Sequence, residues 1–430
     1  MRCIDLNNDV NRQILVDREE GQYLGHVSSV LLEDGKTIVA VYPKGHGRGP
    51  IILKKSFDGG LTWTDRLPLP ESFKTSLEVP TIYRLKDAQG KERLILFSGH
   101  FPIRTAVSED DGDTWSDLAP LDDYGGICVM GDVIALDKPG HYMALFHDEL
   151  NAFYGGDRRE KIRFLRYEKD GQYKYLRLTL HMQEDGAFRQ VERALVEGDD
   201  SIPEENGVLL YETHFGKFDA GTHFHVNKII THDGGLTWSQ PQTIARHPIA
   251  HFCEPGMIRL KDGRIAVLLR ENSRRLNSHI MYSFDEGQTF TKPVELPDVL
   301  TGDRHTCRRL KDGRIAITFR DMNRRGDTFG DWVMWIGSDD DLIHLTDGQY
   351  RIRLKDNHPA VHSECDCAYP GMQILPDGTI VALTYGHWKP WKQIARSADG
   401  LHHPDTLSKM GDNPPYILCV RLHPDELENL

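Results

Sequence analysis

Short apolar runs occur in pairs along this chain, and each pair encloses a polar turn that contains Asp-Gly. Four clear copies are Val27–Tyr42, Phe252–Arg270, Thr306–Arg320 and Tyr369–Tyr385. Short apolar runs on either side of a glycine-containing turn are typical of β-hairpins. After the second copy, a third run and another polar turn continue to Phe290. The pattern therefore predicts antiparallel sheets of about four short strands each.

The second polar turn is itself repeated, as Ser/Thr-x-Asp-x-Gly-x-Thr followed by an aromatic residue. Its four copies are Ser56–Trp63, Ser108–Trp115, Thr231–Trp238 and Ser283–Phe290. The aromatic residues of the first two copies lie 52 residues apart, and so do those of the last two. An Asp in such a turn accepts hydrogen bonds from its own backbone, and Gly supplies a left-handed conformation. Four-stranded units at a period near fifty predict a β-propeller.

We expect one all-β domain over residues 1–430, with six or seven blades. The 123 residues between Trp115 and Trp238 exceed two periods. Residues 149–222 therefore form either a long insertion in one blade or an extra blade. The last apolar run, Tyr416–Leu422, is expected to supply a strand that closes the ring against the N-terminal blade.

Composition narrows the choice of partners and of location. The chain has 52 Lys and Arg against 65 Asp and Glu, a net charge of -13, which disfavours nucleic acid and anionic membranes as partners. The N-terminus has no apolar core that could serve as a secretion signal, and no stretch is long and apolar enough for a membrane span. Seven scattered cysteines are typical of reduced thiols. We expect a cytoplasmic protein, or a secreted one that has lost its leader, and the oligomeric state stays open.

Charged residues and histidines gather at one end of the predicted blades. In an up-and-down blade, both repeated turns lie at the same end, so the starts of first strands and the ends of second strands meet at the opposite face. Second strands end in Lys44, His46, His147, Arg270, Arg320 and Asp321, and first strands start with His26, Glu78, Glu254, Arg304, His305 and Tyr369. Polar rim loops occur in any propeller. Histidines and arginines at matched positions of successive blades exceed what solubility requires, so we expect the functional site at this face.

The repeated polar turns and the hairpins that begin CEPGM and AYPGM resemble the sialidase (neuraminidase) superfamily. The resemblance is strongest to bacterial sialidase-like proteins with Asp-box (BNR) repeats, and it covers nearly the whole chain. It implies a six-bladed propeller in which Glu254 activates the nucleophile Tyr369. It also implies that Arg270, sixteen residues after Glu254, belongs to a group of arginines that binds the substrate carboxylate.

The chain departs from the sialidase pattern at several positions. The entry to blade one has His26 where the family carries its first arginine, and the following loop lacks the acid/base aspartate. We therefore expect Arg304, Arg308 or Arg320 to complete carboxylate binding. Either His46 or Asp321 is expected to act as the general acid. The remaining rim candidates for substrate binding are His26, His305, Lys44, His147 and Glu78.

These residues support one activity and leave two alternatives open. A phenol with a pKa near 10 is a useful nucleophile only if Glu254 accepts its proton and nearby arginines favour the phenolate. Tyrosine nucleophiles are the exception in glycoside hydrolysis, used for anionic sugars. We predict a glycoside hydrolase that releases a terminal acidic sugar and needs no cofactor and no metal. The alternatives are a polysaccharide lyase, in which Tyr369 or a histidine removes the proton beside a uronate carboxylate, and a non-catalytic glycan-binding propeller.

Overall fold

The computed structural model describes residues 1–149, 224–247, 250–274, 276–357, 366–388 and 414–429, together with the backbone of five strands between residues 160 and 209. Within these residues the chain is almost entirely β-structure, arranged as a six-bladed β-propeller. The predicted all-β propeller fold is confirmed.

The first three blades follow two N-terminal strands, β1 (Arg2–Asp5) and β2 (Gln13–Asp17). Blade one consists of β3 (Ser28–Leu31), β4 (Ile38–Pro43) and β5 (Ile51–Ser56). Blade two consists of β6 (Pro80–Lys86), β7 (Glu92–Ser98), β8 (Arg104–Ser108) and β9 (Ala119–Pro120). Blade three begins with β10 (Ile127–Ala135) and β11 (Tyr142–Glu149). Five strands then intervene, β12 (Glu160–Lys169), β13 (Gln172–Met182), β14 (Phe188–Leu195), β15 (Glu204–Glu205) and β16 (Val208–Leu209). Blade three ends with β17 (Phe224–Thr231) and β18 (Gln242–Ala245).

The last three blades follow the same plan. Blade four consists of β19 (Phe252–Arg259), β20 (Ile265–Glu271), β21 (His279–Ser283) and β22 (Val294–Glu295). Blade five consists of β23 (Gly302–Arg309), β24 (Ile315–Asp321), β25 (Trp332–Gly337) and β26 (Tyr350–Lys355), with the short helix α1 (Asp339–His344) before its last strand. Blade six consists of β27 (Gly371–Ile374), β28 (Ile380–Gly386) and β29 (Tyr416–Leu422). In the described part of the chain, no helix is long and apolar enough to cross a membrane.

The innermost strands form a closed ring. Contacts run from β3 to β6, β10, β19, β23 and β27 and back to β3. The N-terminal strand β2 pairs with β29 and becomes the outer strand of blade six, while β1 adds to blade five in parallel with β26. The terminal run Tyr416–Leu422 therefore pairs with an N-terminal strand as expected. Its partner belongs to blade six, however, and not to the N-terminal blade.

Residues 150–223 are inserted between the second and third strands of blade three. Strands β11 and β17 pair continuously from Tyr142 opposite Thr231 to Glu149 opposite Phe224. The intervening strands β12, β13 and β14 form a sheet of their own. The prediction of an insertion or an extra blade at about residues 149–222 concerns this stretch, most of which lies outside the described residues.

The second strands of the blades are buried on both faces. Strands β4, β24 and β28 are buried at every position. Each sheet packs between two neighbouring blades, so both of its faces must be apolar, and continuous apolar runs replace the alternation of a half-exposed strand. The charged residues that end these runs, such as Arg320 and Asp321, are buried as well, and they need partners inside the protein.

The four repeated polar turns share one hydrogen-bond pattern. In the first copy, Asp58 Oδ1 accepts the backbone N–H groups of Leu61 and Thr62 at 3.1 and 2.9 Å, and Thr62 Oγ1 donates to Asp58 Oδ2 at 2.6 Å. The aspartates of the other three copies accept the matching bonds from their turns. The Gly59 N–H donates to the carbonyl of Lys36, which joins this turn to the Asp-Gly turn of its blade. Both turns of blade one therefore lie at the same end, as predicted.

Neighbouring blades approach so closely near the axis that Gly256 has no room for a side chain. A Cβ added there would lie 2.1 Å from the backbone oxygen of His305 in the next blade. Because that oxygen belongs to the backbone, we expect Gly256→Ala to lower the free energy of unfolding by about 1–3 kcal/mol or more, the cost of overpacking. Gly326→Ala is the control, since the nearest atom to its Cβ would be the side-chain amide nitrogen of Asn323, at 3.1 Å, and the nearest backbone atom would be in ordinary contact at 3.5 Å. Urea denaturation checks this, and equal midpoints for Gly256→Ala and wild type would contradict it.

Candidate active site

Residues with a left-handed backbone recur where the innermost strands begin. Among the described residues they are His26, Cys128, Glu254, Arg304 and Ala368, with φ of 54°, 50°, 45°, 56° and 57°. Such a conformation is uncommon outside glycine and costs of order 1–3 kcal/mol, so it persists only where the surroundings impose it. Strained residues of this kind cluster at active sites. Here such residues lie at or near the start of the innermost strand in five of the six blades.

Tyr369, Glu254 and Arg270 meet at this axis. The Tyr369 hydroxyl donates to Glu254 Oε1 at 2.5 Å. Arg270 Nη1 lies 2.5 Å from the same oxygen and 2.8 Å from the Tyr369 hydroxyl. Tyr369 and Glu254 are buried, and Glu254 Oε2 has no hydrogen-bond partner among the described residues. The structure therefore brings together the three residues that the resemblance to sialidases singled out.

The pKa values of Glu254 and Tyr369 move in opposite directions. Burial opposes ionisation of Glu254, but the charge and the hydrogen bond of Arg270, together with other neighbours, outweigh burial and lower the pKa to about 2. Burial and the charge of Glu254 raise the pKa of Tyr369 well above its ordinary value, against the opposing charge of Arg270. The resting pair is therefore a carboxylate that accepts a hydrogen bond from a neutral phenol. Arg270 and Arg320 favour the phenolate, as expected, but burial and the charge of Glu254 outweigh them in the resting state.

His147 supports the backbone of Glu254. The Glu254 N–H donates to His147 Nδ1 at 3.3 Å, and the imidazole is buried. Burial lowers the pKa of His147 to about 3, so the ring is neutral and accepts this bond at Nδ1. The sequence predicts that His147 binds substrate, whereas the structure places it against the main chain of the base.

Asp303 lies between three arginines at the head of blade five. Arg274 donates from both terminal nitrogens to the two carboxylate oxygens, at 2.5 and 2.7 Å. Arg320 Nε donates to Oδ2 at 2.9 Å, and Arg270 Nε lies 3.0 Å from Oδ1. Burial raises the pKa of Asp303, but Arg270, Arg320 and Arg274 together hold it well below its usual range. The predicted arginines Arg270 and Arg320 are thus neighbours, but an internal carboxylate already pairs with both.

A cavity of about 270 Å³ opens beside Tyr369. Its lining includes His26, His46, Glu78, Arg320, Asp366 and Tyr369. Arg320 also lies over the Tyr369 ring, with its guanidinium carbon 5.4 Å from the ring centroid. Tyr369 therefore lines a cavity whose wall also includes two carboxyl groups, those of Glu78 and Asp366.

The two carboxyl groups of the cavity have different protonation. Asp366 accepts hydrogen bonds from the Tyr23 and Tyr385 hydroxyls, each at 2.9 Å. Burial raises the pKa of Asp366, but His387, Tyr385 and other neighbours hold it well below its usual range. Burial raises the pKa of Glu78 to about 7. Near neutral pH the cavity thus contains one ionised carboxylate and one carboxyl group close to half protonation.

His26 and His46 both reach this cavity. The His26 ring is buried, with its centroid 4.5 Å from that of Tyr369 and 4.7 Å from that of Tyr385. Burial lowers the pKa of His26 to about 3, so this ring is neutral. The His46 side chain is 67% exposed, and its Nε2 lies 3.8 Å from Asp366 Oδ1. His26 therefore forms part of the wall and His46 part of the mouth. In the described ranges, no group of three or more His, Cys, Asp or Glu residues is arranged to hold a metal ion.

Asp321 and Lys44 lie apart from the cavity. Asp321 accepts hydrogen bonds from Arg351 at 2.8 Å and from the Thr328 hydroxyl at 2.5 Å. It lines a separate cavity of about 290 Å³ beside strand β1. The prediction of Asp321 as general acid is therefore wrong, because its carboxylate is paired with Arg351 away from Tyr369. Lys44 Nζ is 2.8 Å from a carboxylate oxygen of Glu19, and it forms an ion pair at the rim.

Arg304 and His305 hold the blades together. The Arg304 guanidinium donates to the backbone carbonyls of Cys128 and Met130, at 3.2 and 2.9 Å, and so joins blade five to blade three. The His305 ring is buried, with Nε2 2.8 Å from the carbonyl of Leu300, and burial lowers its pKa to about 4. Neither residue lines the 270 Å³ cavity. Arg304 and His305 Nε2 bond to backbone carbonyls, whereas His305 Nδ1 has no hydrogen-bond partner among the described residues, and the role of both residues in substrate binding stays a prediction.

Comparison with known proteins finds likeness in structure but not in sequence. No protein-family model matches the chain, and no curated protein matches it either. A protein of unknown function from Dyadobacter fermentans superposes with a TM-score of 0.56 and 15% identity, over 96% of this chain and 98% of that chain. An α-L-arabinanase from Penicillium chrysogenum, solved with arabinobiose, superposes with a TM-score of 0.51 and 12% identity, over 96% of this chain and 98% of that chain.

Two further matches belong to the same architecture. An α-L-arabinofuranosidase from Fusarium graminearum, solved with an iminosugar inhibitor, has a TM-score of 0.51 and 11% identity, over 97% of this chain and 99% of that chain. A microbial sialidase has a TM-score of 0.49 and 12% identity, over 94% of this chain and 66% of that chain. At such low identity the likeness concerns the fold.

Proposed function

We propose that this protein is a glycoside hydrolase that releases a terminal sugar, with Tyr369 as the nucleophile and Glu254 as its base. The observation that carries the proposal is the 2.5 Å hydrogen bond from the Tyr369 hydroxyl to Glu254, at the wall of a cavity large enough for a sugar ring. A nucleophile in hydrogen-bond contact with its base, which a third group orients, is the signature of covalent catalysis. Arg270, which donates to both groups, is that third group.

The resting protonation states define the first step. Tyr369 is a neutral phenol, so its oxygen attacks the anomeric carbon as its proton moves to Glu254 along their hydrogen bond. The bond from the anomeric carbon to the leaving oxygen breaks, and the sugar becomes attached to Tyr369. Water then attacks the same carbon, and Glu254 returns its proton to the departing phenolate. Two displacements at one carbon give a product that retains the anomeric configuration.

The charges around the cavity support a sugar with one carboxylate. Arg270, Arg274 and Arg320 pair with Asp303, and Arg270 also pairs with Glu254. Arg320 and the more exposed Arg48 line the cavity. An arginine beside a buried cavity favours a carboxylate over a neutral hydroxyl. The arrangement differs from a set of free arginines, since Asp303 already pairs with all three.

Product mass after incubation with a glycan panel tests the proposal. The panel contains oligosaccharides that end in sialic acid, in a uronic acid, in α-L-arabinofuranose or in a neutral hexose. We expect release of an acidic sugar whose mass includes one added water, with retained configuration by NMR, because Arg48 and Arg320 line the cavity and favour such a glycone. Release of an unsaturated uronate without added water would replace hydrolysis by elimination. Binding of a glycan without any product would indicate a glycan-binding protein.

A further inference from the structure

Glu78 is held in a niche that two glycines leave open. It lies just before strand β6, and its Oε1 accepts the backbone N–H of Val79 at 2.9 Å. A Cβ on Gly99 would lie 2.7 Å from Glu78 Cγ, and one on Gly47 would lie 3.4 Å from Oε1. Small residues at both places allow the carboxyl group to lie flat against the cavity wall. Val79 packs in the same apolar cluster as Cys128 and Tyr369, so this wall adjoins the nucleophile.

We propose that Glu78 is the general acid that protonates the leaving oxygen of the glycoside. The inference rests on the proposed hydrolase function and adds to it a residue that takes the place of the missing aspartate. Glu78 lines the same cavity as Tyr369, and an acid must reach the oxygen that leaves as the nucleophile attacks.

The surroundings of Glu78 favour its protonated form, as an acid requires. Burial raises its pKa to about 7, with a further contribution from Glu254, while the Val79 N–H, Arg48 and Arg304 act in the opposite direction. The cavity also presents His46, Cys128 and Asp366. Asp366 shares the cavity but is ionised, because its pKa lies well below the usual range. A pair of carboxyl groups whose environments separate their pKa values defines which one donates the proton.

The proton balance closes over both displacements. In the first, the Glu78 proton moves to the leaving oxygen as its bond to the anomeric carbon breaks and the bond to Tyr369 forms. In the second, the Glu78 carboxylate accepts a proton from the attacking water as the bond to Tyr369 breaks. Glu78 therefore ends the cycle protonated, with one water consumed for each sugar released.

Glu78→Gln tests the role, with Glu71→Gln as the matched control on an exposed carboxyl group of the preceding segment. Each variant is assayed with two glycosides of the sugar that the panel identifies, one with a 4-nitrophenol leaving group and one with an alkyl alcohol. The 4-nitrophenolate anion can leave without being protonated, whereas an alkoxide must receive a proton as it leaves. We expect Glu78→Gln to lose about 10²- to 10⁴-fold in kcat/KM on the alkyl glycoside, and less than about tenfold on the nitrophenyl glycoside. Glu71→Gln should match wild type on both.

Equal losses on both glycosides would overturn the role of Glu78 while leaving the hydrolase in place. The same selective loss in His46→Gln, with Glu78→Gln unaffected, would assign the acid to His46. If the wild type cleaved neither glycoside, the proposed function itself would fail. If circular dichroism shows that Glu78→Gln does not fold, the pH profile of the wild type is the second test. The kcat/KM of the wild type on the alkyl glycoside should fall above about pH 7, and the kcat/KM on the nitrophenyl glycoside should show no such fall. A fall shared by both substrates would contradict the proposal.

Discussion

Replacing Tyr369 by phenylalanine is expected to abolish turnover and to leave ligand binding almost unchanged. The variant keeps the ring that packs against His26 and Arg320, but it removes the oxygen that donates to Glu254. Loss of a covalent nucleophile lowers kcat on the order of 10⁴-fold or more, because the remaining groups cannot form the intermediate. The Kd for the released sugar should stay within about threefold of wild type, since the wall of the cavity is retained. Steady-state assays measure kcat, and titration calorimetry measures the Kd for the released sugar.

Tyr42→Phe provides a control with the same chemistry elsewhere. The buried Tyr42 hydroxyl donates to Asp17 at 2.6 Å, away from the 270 Å³ cavity. If a buried phenol–carboxylate bond matters only for stability, both variants should lose stability and neither should lose the chemistry. We expect instead that Tyr369→Phe loses its turnover while Tyr42→Phe keeps its kcat. Full turnover by Tyr369→Phe would rule out the nucleophile, and similar losses in both variants would indicate a structural role.

The kcat of Glu254→Gln should fall in the same way as that of Tyr369→Phe. The kcat of the double variant, which carries both changes, should fall no further. The two groups act as one unit through their shared proton, and residues that act as a unit show strongly non-additive losses in kcat. This double-mutant cycle therefore distinguishes a nucleophile with its base from two independent binding residues. Losses that multiply in the double variant would contradict the shared role.

The fold followed from the sequence because its signal is local and repeated. Each Asp-Gly hairpin and each polar turn depends on residues within one short stretch, such as Asp58 and the amides of its own turn. A period near fifty then fixes the architecture. The closure of blade six was harder to foresee, because β2 and β29 are joined by pairing between the two ends of the chain, and no local spacing records such a partner.

Strand geometry explains why Arg320 belongs to the site and Asp321 does not. Arg320 and Asp321 are consecutive in β24, so their side chains point to opposite faces of the sheet. Only Arg320 can then face Tyr369, and Asp321 pairs with Arg351 instead. The alternation of side chains along a strand is therefore sufficient to exclude Asp321 as a general acid once Arg320 is placed at the site.

Neither Asp303 nor Asp366 could be placed from the spacing of residues. Asp303 lies opposite Arg320 in the hairpin only because the register shifts between Asp303 and Thr306, whereas counting back from the Asp-Gly turn would pair Arg320 with Arg304. Asp366 depends on Tyr23 and Tyr385 from two other segments, and Arg304 crosses to carbonyls in blade three. Contacts across the axis depend on how six blades are arranged around it, and a repeat in one chain does not specify them.

Asp303→Asn is expected to cause the largest loss of stability of any change considered. Asp303 is fully buried and pairs with Arg270, Arg274 and Arg320. An amide of the same shape removes this counterion from all three guanidinium groups, of which only that of Arg270 has a second carboxylate, Glu254, in an ion pair within the described part of the chain. Removing one partner of a buried ion pair costs about 3–5 kcal/mol, because an uncompensated charge stays buried. Urea denaturation at pH 7 measures the loss, and Asp327→Asn, at an exposed carboxylate, should leave the midpoint unchanged.

The pH dependence of that loss identifies its origin. The arginines hold the pKa of Asp303 well below its ordinary value of 3.8, so its contribution to stability is complete above that value and is lost as the pH falls below it. The free energies of unfolding of wild type and Asp303→Asn should therefore differ by a constant amount from pH 7 to about pH 5. Below about pH 4 the two should begin to converge, because the unfolded wild type then binds a proton at Asp303 that the folded protein does not bind, and convergence is complete only below the lowered pKa of the folded state. A difference that stayed constant into this acid range would mean that Asp303 acts by packing or hydrogen bonding, and not by balancing the three arginines.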